Sequence, residues 1–397
     1  MIYFDNSATT PVRKEVYEAM LPYLTFEYGN PSSKYYKLAT NAKYAVEEAR
    51  ESVAKLIGAK PEEIIFTSGA SESTNMIIKG ITDYSRYYVK KGNHIITSKV
   101  EHKATLNTCK FLNGDIYSNN DSVFKFGMEN PKVDRGYEVS FLDVNQYGQV
   151  LPETLEAAIK DTTSIVSLIW GNNEIGTLND ALKLGSICYS KNVPLHLDAT
   201  QMLGKMEIDV NKINVDSLSM SAHKVHGPKG IGAAYLKCND YGLPPFSSLL
   251  HGGGQEKGLR GSTLPVHNIV GFGKACEISL NESTTTLKYY KELDIELIKL
   301  FCEMPNIKLL GDLANRVPGI YSLLIDKKDF NNEMFLKKIS GEFAISSGSA
   351  CSAGEPSHVL QAIGLGEYTS KVIRISIGSS MPLKKTTKSI QELLNKI

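Results

Sequence analysis

Lys224 stands in a sequence setting that suits covalent chemistry at an amine. It follows the apolar run Val215–Met220 and the short turn Ser221-Ala222-His223. A lysine that forms a Schiff base must be held in place and partly removed from water, because only its neutral amine is a nucleophile. The same segment also fits a solvated lysine in a glycine-rich hairpin, so the segment alone leaves two interpretations open.

A carboxylate ends another apolar run. Asp198 follows Pro194–Leu197, so its side chain is expected at the end of a buried strand. A pyridoxal-phosphate (PLP) ring needs an acidic partner at its nitrogen, because only the protonated ring is a good electron sink. A helix cap or a structural ion pair would also account for such an aspartate. Gln201, three residues further on, could hydrogen-bond the phenolic oxygen of the cofactor.

Two further segments could hold or cover such a cofactor. Ala70 and Ser71 belong to the turn Gly69–Ser73, which follows an apolar run and precedes a predicted helix. Free backbone N–H groups at a helix N-terminus bind phosphate, although turns of this composition are common. His102 follows the run His94–Thr97 and could stack on the ring and move protons. A lone histidine is more often structural.

Cys351 differs from the other five of the six cysteines, which are expected to be small buried apolar residues. Small residues surround it in the segment Ser346–Pro356, which predicts an exposed loop. A thiol there can be a nucleophile where its thiolate is accessible; an incidental loop cysteine is the alternative. The cysteine spacing fits neither a zinc site nor a disulfide framework, so no metal is predicted.

Arg374 lies in the middle of the apolar strand pattern Val372–Ser376. A guanidinium in such a strand needs an anionic partner, and bidentate capture of a carboxylate suits its planar geometry. We therefore expect Arg374 to bind the α-carboxylate of a substrate.

Apolar runs that alternate with helical patterns predict a mostly parallel α/β sheet. The polar clusters follow the runs, and ligands of such sheets bind at the carboxyl ends of the strands. The candidate residues should therefore meet at one edge. From about Pro265, longer helices and short strands predict a smaller α+β domain. The predicted strands are Ile64–Phe66, His94–Thr97, Val139–Leu142, Ser164–Trp170, Pro194–Leu197, Val215–Met220, Gly319–Leu324, Phe343–Ser346 and Val372–Ser376, and the main helices are Tyr36–Ile57 (capped by Gly58), Ile269–Leu280, Leu287–Glu303 and Thr386–Lys396.

The bulk composition excludes little but points to an ordinary globular protein. The chain has 397 residues, 42% hydrophobic and 22% charged, with a formal net charge of +1. This balance gives no reason to expect direct binding of nucleic acid or membranes. The N-terminus lacks the pattern of a secretory signal, and no apolar run approaches the roughly 20 residues of a membrane span. A cytoplasmic location is expected.

Taken together, the motifs resemble those of the cysteine desulfurases, in the NifS/IscS-like branch of the fold-type I PLP enzymes. The resemblance extends over nearly the whole chain, with the motifs in the family's order. They are Tyr3–Pro11, Tyr28–Ser33, Phe66–Ser73, Glu101–Ala104, Asn172–Gly176, Asp198–Gln201, Ser221–Lys224, Gly252–Glu256 and Ser346–Cys351.

The resemblance implies a fold, a set of domains and a role for each site residue. The fold is a large PLP-binding domain at 15–265 with a mostly parallel sheet, and a small domain formed by 1–14 and 266–397. Catalysis is assigned to Cys351, Lys224 and His102, and substrate binding to Arg374 and Asn173. The residues implied to bind PLP are Lys224, Asp198, Gln201, Asn173, His102, Ala70, Ser71, Ser221, His223 and, contributed across a homodimer, Thr263.

The implied reaction converts L-cysteine to L-alanine and leaves a persulfide on Cys351, from which sulfur passes to an acceptor protein. Candidate pathways are iron–sulfur cluster assembly, tRNA thiolation and DNA phosphorothioation. Selenocysteine lyase or aminotransferase activity on the same fold is the alternative, and a non-catalytic binding module is a more distant one. Two departures from the family pattern favour a specialised role: a polar insertion at Asn113–Arg135, and only three residues between Cys351 and Glu355.

Overall fold

The structure is a computed structural model that describes residues 1–116, 118, 131–348 and 356–397. Cys351 and most of the predicted insertion lie outside these residues. Within them the chain forms twelve strands and eleven α-helices. The strands are β1 Ile2–Tyr3, β2 Ile64–Thr67, β3 His94–Ser98, β4 Glu138–Leu142, β5 Thr163–Ile169, β6 Leu195–Asp198, β7 Ser217–Ser221, β8 Gly232–Leu236, β9 Ile307–Leu309, β10 Ile320–Ile325, β11 Phe343–Ala344 and β12 Val372–Ser376. The helices are α1 Lys14–Thr25, α2 Lys37–Ile57, α3 Ala70–Asp83, α4 Lys103–Asn113, α5 Pro152–Ala158, α6 Ala181–Ser190, α7 Val266–Asn281, α8 Ser283–Glu303, α9 Asn332–Ile339, α10 His358–Ala362 and α11 Leu383–Leu394.

Seven strands form one sheet in the order β2-β8-β7-β6-β5-β3-β4. Neighbouring strands are parallel except at β8, which is antiparallel to both β2 and β7. The predicted α/β architecture with a mostly parallel sheet is thus confirmed. Successive side chains of a strand point to opposite faces, so Ile96 and Val166 pack into one core and Ile95 and Ile165 into another.

The strand β8 was not among the predicted strands. Its glycine and alanine residues lack the β-branched side chains that mark strands in a sequence. The position requires small residues, because a Cβ on Gly232 would lie 2.4 Å from the carbonyl oxygen of Met220 and 2.7 Å from Cα of Gly69. The close approach of β8 brings its first residue beside the turn that precedes α3.

A second, antiparallel sheet has the order β12-β10-β9 and packs with α8 and α11 around its own core. Phe4 joins this core, and β1 pairs with β11. The division of the chain at residue 265 stays a prediction. Helix α7, which begins directly after it, packs on α1 and α2 and contributes Phe272 and Cys276 to the first core. No helix of the described residues is long and apolar enough to cross a membrane.

Helix α2 confirms the predicted helix and its end. Nine of its residues are buried, at spacings that place them on one face: Ala39, Ala42, Ala45, Val46, Ala49, Arg50, Val53, Ala54 and Ile57. Gly58 caps the helix in the left-handed conformation, with φ +69°, which glycine adopts without a steric penalty.

Arg50 on this buried face forms an ion pair with Glu256. Its two terminal nitrogens donate to the two carboxylate oxygens at 2.8 and 2.7 Å. The backbone N–H of Phe66 also donates to Glu256, at 2.7 Å. The pair therefore fixes the glycine-rich segment around residue 256 against β2, although Glu256 itself adopts a left-handed conformation with φ +46°.

Replacing Arg50 with methionine should lower the free energy of unfolding by about 3–5 kcal/mol, because the Glu256 carboxylate then stays buried without its partner. Urea denaturation at one fixed protein concentration measures the change. The matched control is Lys55→Met, which removes an exposed pair with Glu51 on the same helix and should cost about 1 kcal/mol or less. Equal losses in the two variants would contradict the role given to Arg50.

Candidate active site

The predicted site residues follow four neighbouring parallel strands. Lys224 comes after β7, Asp198 ends β6, Asn173 follows β5 and His102 follows β3. These strands are adjacent in the sheet in the same order. Because the strands are parallel, the residues meet at one edge, as the sequence analysis expected.

Lys224 is held at this edge by the N-terminal segment of the chain. A single turn of 3-10 helix after β7 ends at this lysine, which is half-buried. Its Nζ donates to the carbonyl oxygen of Ser7 and, at 2.9 Å, to that of Ala8. The amine therefore has a fixed position at the carboxyl end of β7.

Asp198 and Gln201, at the carboxyl end of β6, are both buried. The backbone N–H and the hydroxyl of Thr200 donate to Oδ1 of Asp198 at 3.0 and 2.5 Å. Oδ2 has no hydrogen-bond partner among the described residues, which leaves it available to a ring nitrogen. The side-chain amide of Gln201 donates from Nε2 to the carbonyl oxygen of Ser7 at 3.0 Å.

The N-terminus of α3 has the chemistry of a phosphate site. The helix begins at Ala70, and no side chain caps it, so the first backbone N–H groups have no partner within the helix. The Oγ of the buried Ser221 would lie 3.8 Å from a Cβ at Gly69, which places this hydroxyl beside the turn. Ser71 is exposed on the first turn of α3.

His223 lies between Lys224 and the N-terminal segment. Its Nδ1 is 3.1 Å from the hydroxyl of Thr9. Burial, together with the charges of Lys224 and Lys229, lowers the pKa of His223 to about 4. The ring is therefore neutral at pH 7 and can act as a hydrogen-bond partner to a phosphate without adding charge.

His102 is the N-cap of α4 and half-buried. Its Nδ1 accepts a hydrogen bond from the backbone N–H of Ala104 at 3.1 Å. The neutral ring therefore carries its proton on Nε2. The preceding residue, Glu101, is fully buried, and burial raises its pKa to about 8. Burial outweighs the hydrogen bond that Ser98 donates to Oε1 of Glu101 at 2.5 Å, and a protonated carboxyl group therefore backs the turn that presents the histidine.

Arg374 connects the two halves of the structure at this edge. Its Nη1 donates to the carbonyl oxygens of Asn173 and Gly348, both at 2.9 Å. Its Nη2 donates to Oδ1 of Asp5 at 2.9 Å. The side chain is 1% exposed, and Nε is buried with no hydrogen-bond partner among the described residues. A donor left without a partner in this position fits a ligand carboxylate.

The residues on either side of the Cys351 segment are anchored to the same site. The carbonyl oxygen of Gly348, before the segment, accepts a hydrogen bond from Nη1 of Arg374. Ser357, after it, donates from Oγ to Oε2 of Glu174 at 2.6 Å. Glu174 directly follows Asn173. The described residues on the two sides of the segment, Gly348 and Ser357, are therefore each bonded to a residue of the site.

Thr263 does not join the site of its own chain. It is exposed, and no hydrogen bond links it to the described residues of the phosphate turn. Its neighbour Arg260 forms a bidentate pair with Glu72 on the first turn of α3, at 2.7 and 3.1 Å. The assignment of Thr263 to a second subunit stays a prediction.

Sequence reasoning gave no role to several residues that the structure places at the site. Asp5 and Glu174 lie within the matched motifs, but nothing in their local sequence shows that Asp5 pairs with Arg374 or that Glu174 accepts a hydrogen bond from Ser357. Lys205 lies outside the motifs, and its only signal is its position four residues after Gln201. Among the described residues, no cluster of three or more His, Cys, Asp or Glu could hold a metal ion.

The site fits pyridoxal phosphate by the chemistry of its groups. Lys224 supplies an amine, Asp198 a buried carboxylate with one available oxygen, and the uncapped N-terminus of α3 a phosphate site. Arg374 adds a donor for a substrate carboxylate. These groups define a PLP enzyme that acts on an amino acid.

Comparisons with known proteins agree with this class. The aminotransferase class-V family model matches residues 2–116 and 128–388. The cysteine desulfurase IscS of Neisseria meningitidis is 40% identical over 380 residues, which are 95% of this chain and 87% of the relative. The cysteine desulfurase IscS of Escherichia coli is 40% identical over 382 residues, 95% of this chain and 88% of the relative.

Solved structures give the same picture. A NifS-like protein superimposes with a TM-score of 0.82 and 33% identity, over 100% of both chains. SspA in complex with cysteine has a TM-score of 0.77 and 35% identity, over 95% of this chain and 99% of that one. DndA from Streptomyces lividans has a TM-score of 0.73 and 32% identity, over 93% of this chain and 97% of that one.

This chain therefore belongs to the cysteine desulfurases, within the aminotransferase class-V family of PLP-dependent enzymes. The predicted family, fold type, enzyme class and cofactor are confirmed. The role of each site residue stays a prediction that the geometry makes specific.

Replacing Lys224 with alanine should abolish both the absorbance of bound PLP and cysteine turnover, because no other amine replaces its covalent bond. The absorbance spectrum of the purified protein, followed by an alanine assay, measures both. Lys229→Ala, an exposed lysine in the same turn region, is the matched control and should retain both properties. Normal cysteine turnover in Lys224→Ala would refute the assignment.

Proposed function

We propose that this chain converts L-cysteine to L-alanine and transfers the sulfur through a persulfide on Cys351 to an acceptor protein. The observation that carries the proposal is the position of Arg374. Its Nε is buried and has no partner among the described residues, while its Nη1 holds the carbonyl of Gly348, the last described residue before the Cys351 segment. The substrate's carboxylate would then bind beside the residue from which the Cys351 segment continues.

Bound PLP supplies an electron sink for bonds to the α-carbon of an amino acid. Lys224 would carry the cofactor and, once its amine is released, move the α-proton of the substrate. Asp198 would keep the ring nitrogen protonated through Oδ2. His102 would cover the ring and hold a proton on Nε2, and Gln201 would donate to the phenolic oxygen.

The phosphate would lie at the N-terminus of α3. The backbone N–H groups at Ala70 and Ser71 point outward from this helix end, where the helix dipole favours an anion. The hydroxyls of Ser71 and Ser221 and the neutral ring of His223 would complete the site. Because His223 is neutral, its replacement should weaken phosphate binding through a lost hydrogen bond rather than a lost charge.

The substrate carboxylate would bind Arg374 in the space beside Asn173. The guanidinium already has Asp5 on Nη2, and this pair keeps its orientation fixed before the substrate arrives. Nε and the second N–H of Nη2 are the donors that remain among the described residues, so the carboxylate could form a bidentate contact without breaking the contact with Gly348. A preoriented guanidinium binds with a smaller loss of side-chain entropy.

The sulfur step is balanced without an external oxidant or reductant. The thiolate of Cys351 attacks the sulfur of the substrate and forms a new S–S bond. The C–S bond of the substrate breaks, and its electron pair stays with the carbon, which is protonated to give alanine. The net reaction turns cysteine and one enzyme thiol into alanine and one enzyme persulfide.

We further propose that the enzyme acts as a homodimer, with Thr263 reaching the phosphate site of the second subunit. Several exposed aromatic side chains lie on α1, on α2 and on the segment between them, and they support the proposal that a second subunit covers this surface: Tyr17, Phe26, Tyr28, Tyr35, Tyr36 and Tyr44.

The acceptor of the sulfur is proposed to be a thiol of another protein. Iron–sulfur assembly, tRNA thiolation and DNA phosphorothioation remain the candidate pathways, and the Asn113–Arg135 insertion is the segment proposed to select the partner.

Replacing Cys351 with serine should leave PLP binding and the spectral response to cysteine intact, because the cofactor chemistry does not need the thiol. Persulfide formation, measured by mass spectrometry of the intact protein after incubation with cysteine, should be lost, and alanine production should fall to background. Cys302→Ser removes an exposed thiol elsewhere and should behave like the unaltered enzyme. If Cys351→Ser formed a persulfide on another cysteine at the rate of the unaltered enzyme, the assignment of Cys351 as the thiol that receives the sulfur would be wrong.

A further inference from the structure

Lys205 is a buried lysine that the proposed mechanism does not use. Its side chain is 4% exposed, and lysines are almost never fully buried unless they are paired. Among the described residues it forms no ion pair with a carboxylate. The nearest charges that act on it are those of Lys224 and Arg374, both positive. A lysine in this environment destabilises the fold, so its presence calls for a functional explanation.

Among the described residues, the one side-chain hydrogen bond of Lys205 goes to the proposed cofactor site. Its Nζ donates to Oε1 of Gln201 at 3.1 Å. The other end of the same amide, Nε2, donates to the carbonyl oxygen of Ser7, and that oxygen also accepts from Lys224. Lys205 is therefore connected to the Schiff-base lysine through Gln201 and Ser7.

This connection fixes which end of the Gln201 amide faces the site. A glutamine amide has an acceptor at one end and a donor at the other, and a lysine amine that donates to the acceptor end opposes a flip. Without Lys205, only the hydrogen bond from Nε2 to the carbonyl of Ser7 would hold the amide, and its orientation would be less fixed. Rotation of the amide away from that carbonyl would remove the N–H donor from the phenolic oxygen of the cofactor.

Burial, together with the positive charges of Lys224 and Arg374, lowers the pKa of Lys205 to about 7. The cavity that Lys205 shares with Lys224 is also lined by Arg13, His226 and Glu282. A neutral amine still has N–H groups, so the bond to Gln201 persists on both sides of pH 7.

We propose that Lys205 is a positioning residue of the cofactor site, which acts by holding the amide of Gln201 in the orientation that donates toward Ser7 and the phenolic oxygen. This inference rests on the proposed roles of Lys224 and Gln201 toward PLP. It adds a residue that does not touch the cofactor itself.

The test is a pH titration of the absorbance of the PLP-loaded enzyme without substrate. Lys205→Met removes the donor to Gln201. The pH midpoint of the absorbance change linked to Lys224 should rise by about 0.5 pH units or more, which is a threefold or larger change in the proton-dissociation constant. Lys205→Arg keeps a donor and should lie closer to the original midpoint. The exposed Lys212→Met should leave it unchanged. Lys205→Leu provides a second removal of the donor if the methionine variant does not fold.

A double variant separates positioning from a direct effect of charge. Gln201→Ala should raise the midpoint by itself, and adding Lys205→Met to it should cause no further shift, because Lys205 then has no amide to orient. An equal shift of Lys205→Met in both backgrounds would overturn the proposal in favour of a direct charge effect. An unchanged midpoint in Lys205→Met would overturn it altogether. If the unaltered enzyme did not bind PLP or did not turn over cysteine, the proposed function itself would be contradicted.

Thermal unfolding supplies a control on the state of Lys205. Its pKa is lower in the folded chain, about 7, than the ordinary value of 10.5. The unfolded chain therefore binds more protons between these values, and the stability contributed at this position rises with pH through that window. The melting temperature of the unaltered enzyme should thus rise relative to that of Lys205→Met between pH 7 and 9. A constant difference would show that Lys205 is not a buried, neutralised amine.

Discussion

The guanidinium of Arg374 is the contact on which the arrangement of the site depends. It extends from the second sheet and binds three separate parts of the chain: the Asp5 carboxylate, the carbonyl of Asn173 and the carbonyl of Gly348. A buried charge is costly unless its donors are satisfied, and removal of one partner is strongly destabilising. The two cores are therefore joined at the proposed substrate site, and Nε, which has no partner among the described residues, is a donor that the proposal leaves for the substrate carboxylate.

The N-terminal segment completes this connection from the other side. Phe4 packs in the second core, while the carbonyls of Ser7 and Ala8 hold Lys224 at the end of the first sheet. Gln201 donates to the same carbonyl of Ser7, and Lys205 donates to Oε1 of Gln201. A short stretch of chain thus links the second core to the amine of Lys224, the proposed attachment point of the cofactor. A change at Asp5 is consequently expected to affect both substrate binding and the environment of Lys224.

The sequence was sufficient to predict those features that depend on local patterns. The apolar face of α2 and its glycine cap follow from helical spacing and from the freedom of Gly58 to adopt a positive φ. The polar residues after β3, β5, β6 and β7 were expected at one edge because parallel strands align their carboxyl ends. The strand β8 was missed, since its small residues are selected by a close approach to Gly69 that only the folded chain reveals.

Contacts between distant residues explain the other omissions. Asp5 and Arg374 are 369 positions apart, and no local pattern shows that they form a pair. The burial of Lys205 depends on the packing of α7 and of the turn after β6. In the same way, α7 packs on the first core although the sequence pattern changes just before it, because helix packing responds to the surface presented by α1 and α2 rather than to the position of a boundary in the chain.

The most direct measurement of the central claim compares L-cysteine with cysteamine, which lacks the carboxylate, by the spectral titration of the PLP-loaded enzyme. In Arg374→Ala the apparent affinity for L-cysteine should fall by roughly 2–4 kcal/mol, tens to hundreds-fold, because a charge-assisted bidentate contact is lost. The affinity for cysteamine should change much less. This comparison separates the loss of the carboxylate contact from any general disturbance of the site. A loss that is equal for both compounds, or an unchanged affinity for L-cysteine, would contradict the assignment of Arg374 as the residue that binds the substrate carboxylate.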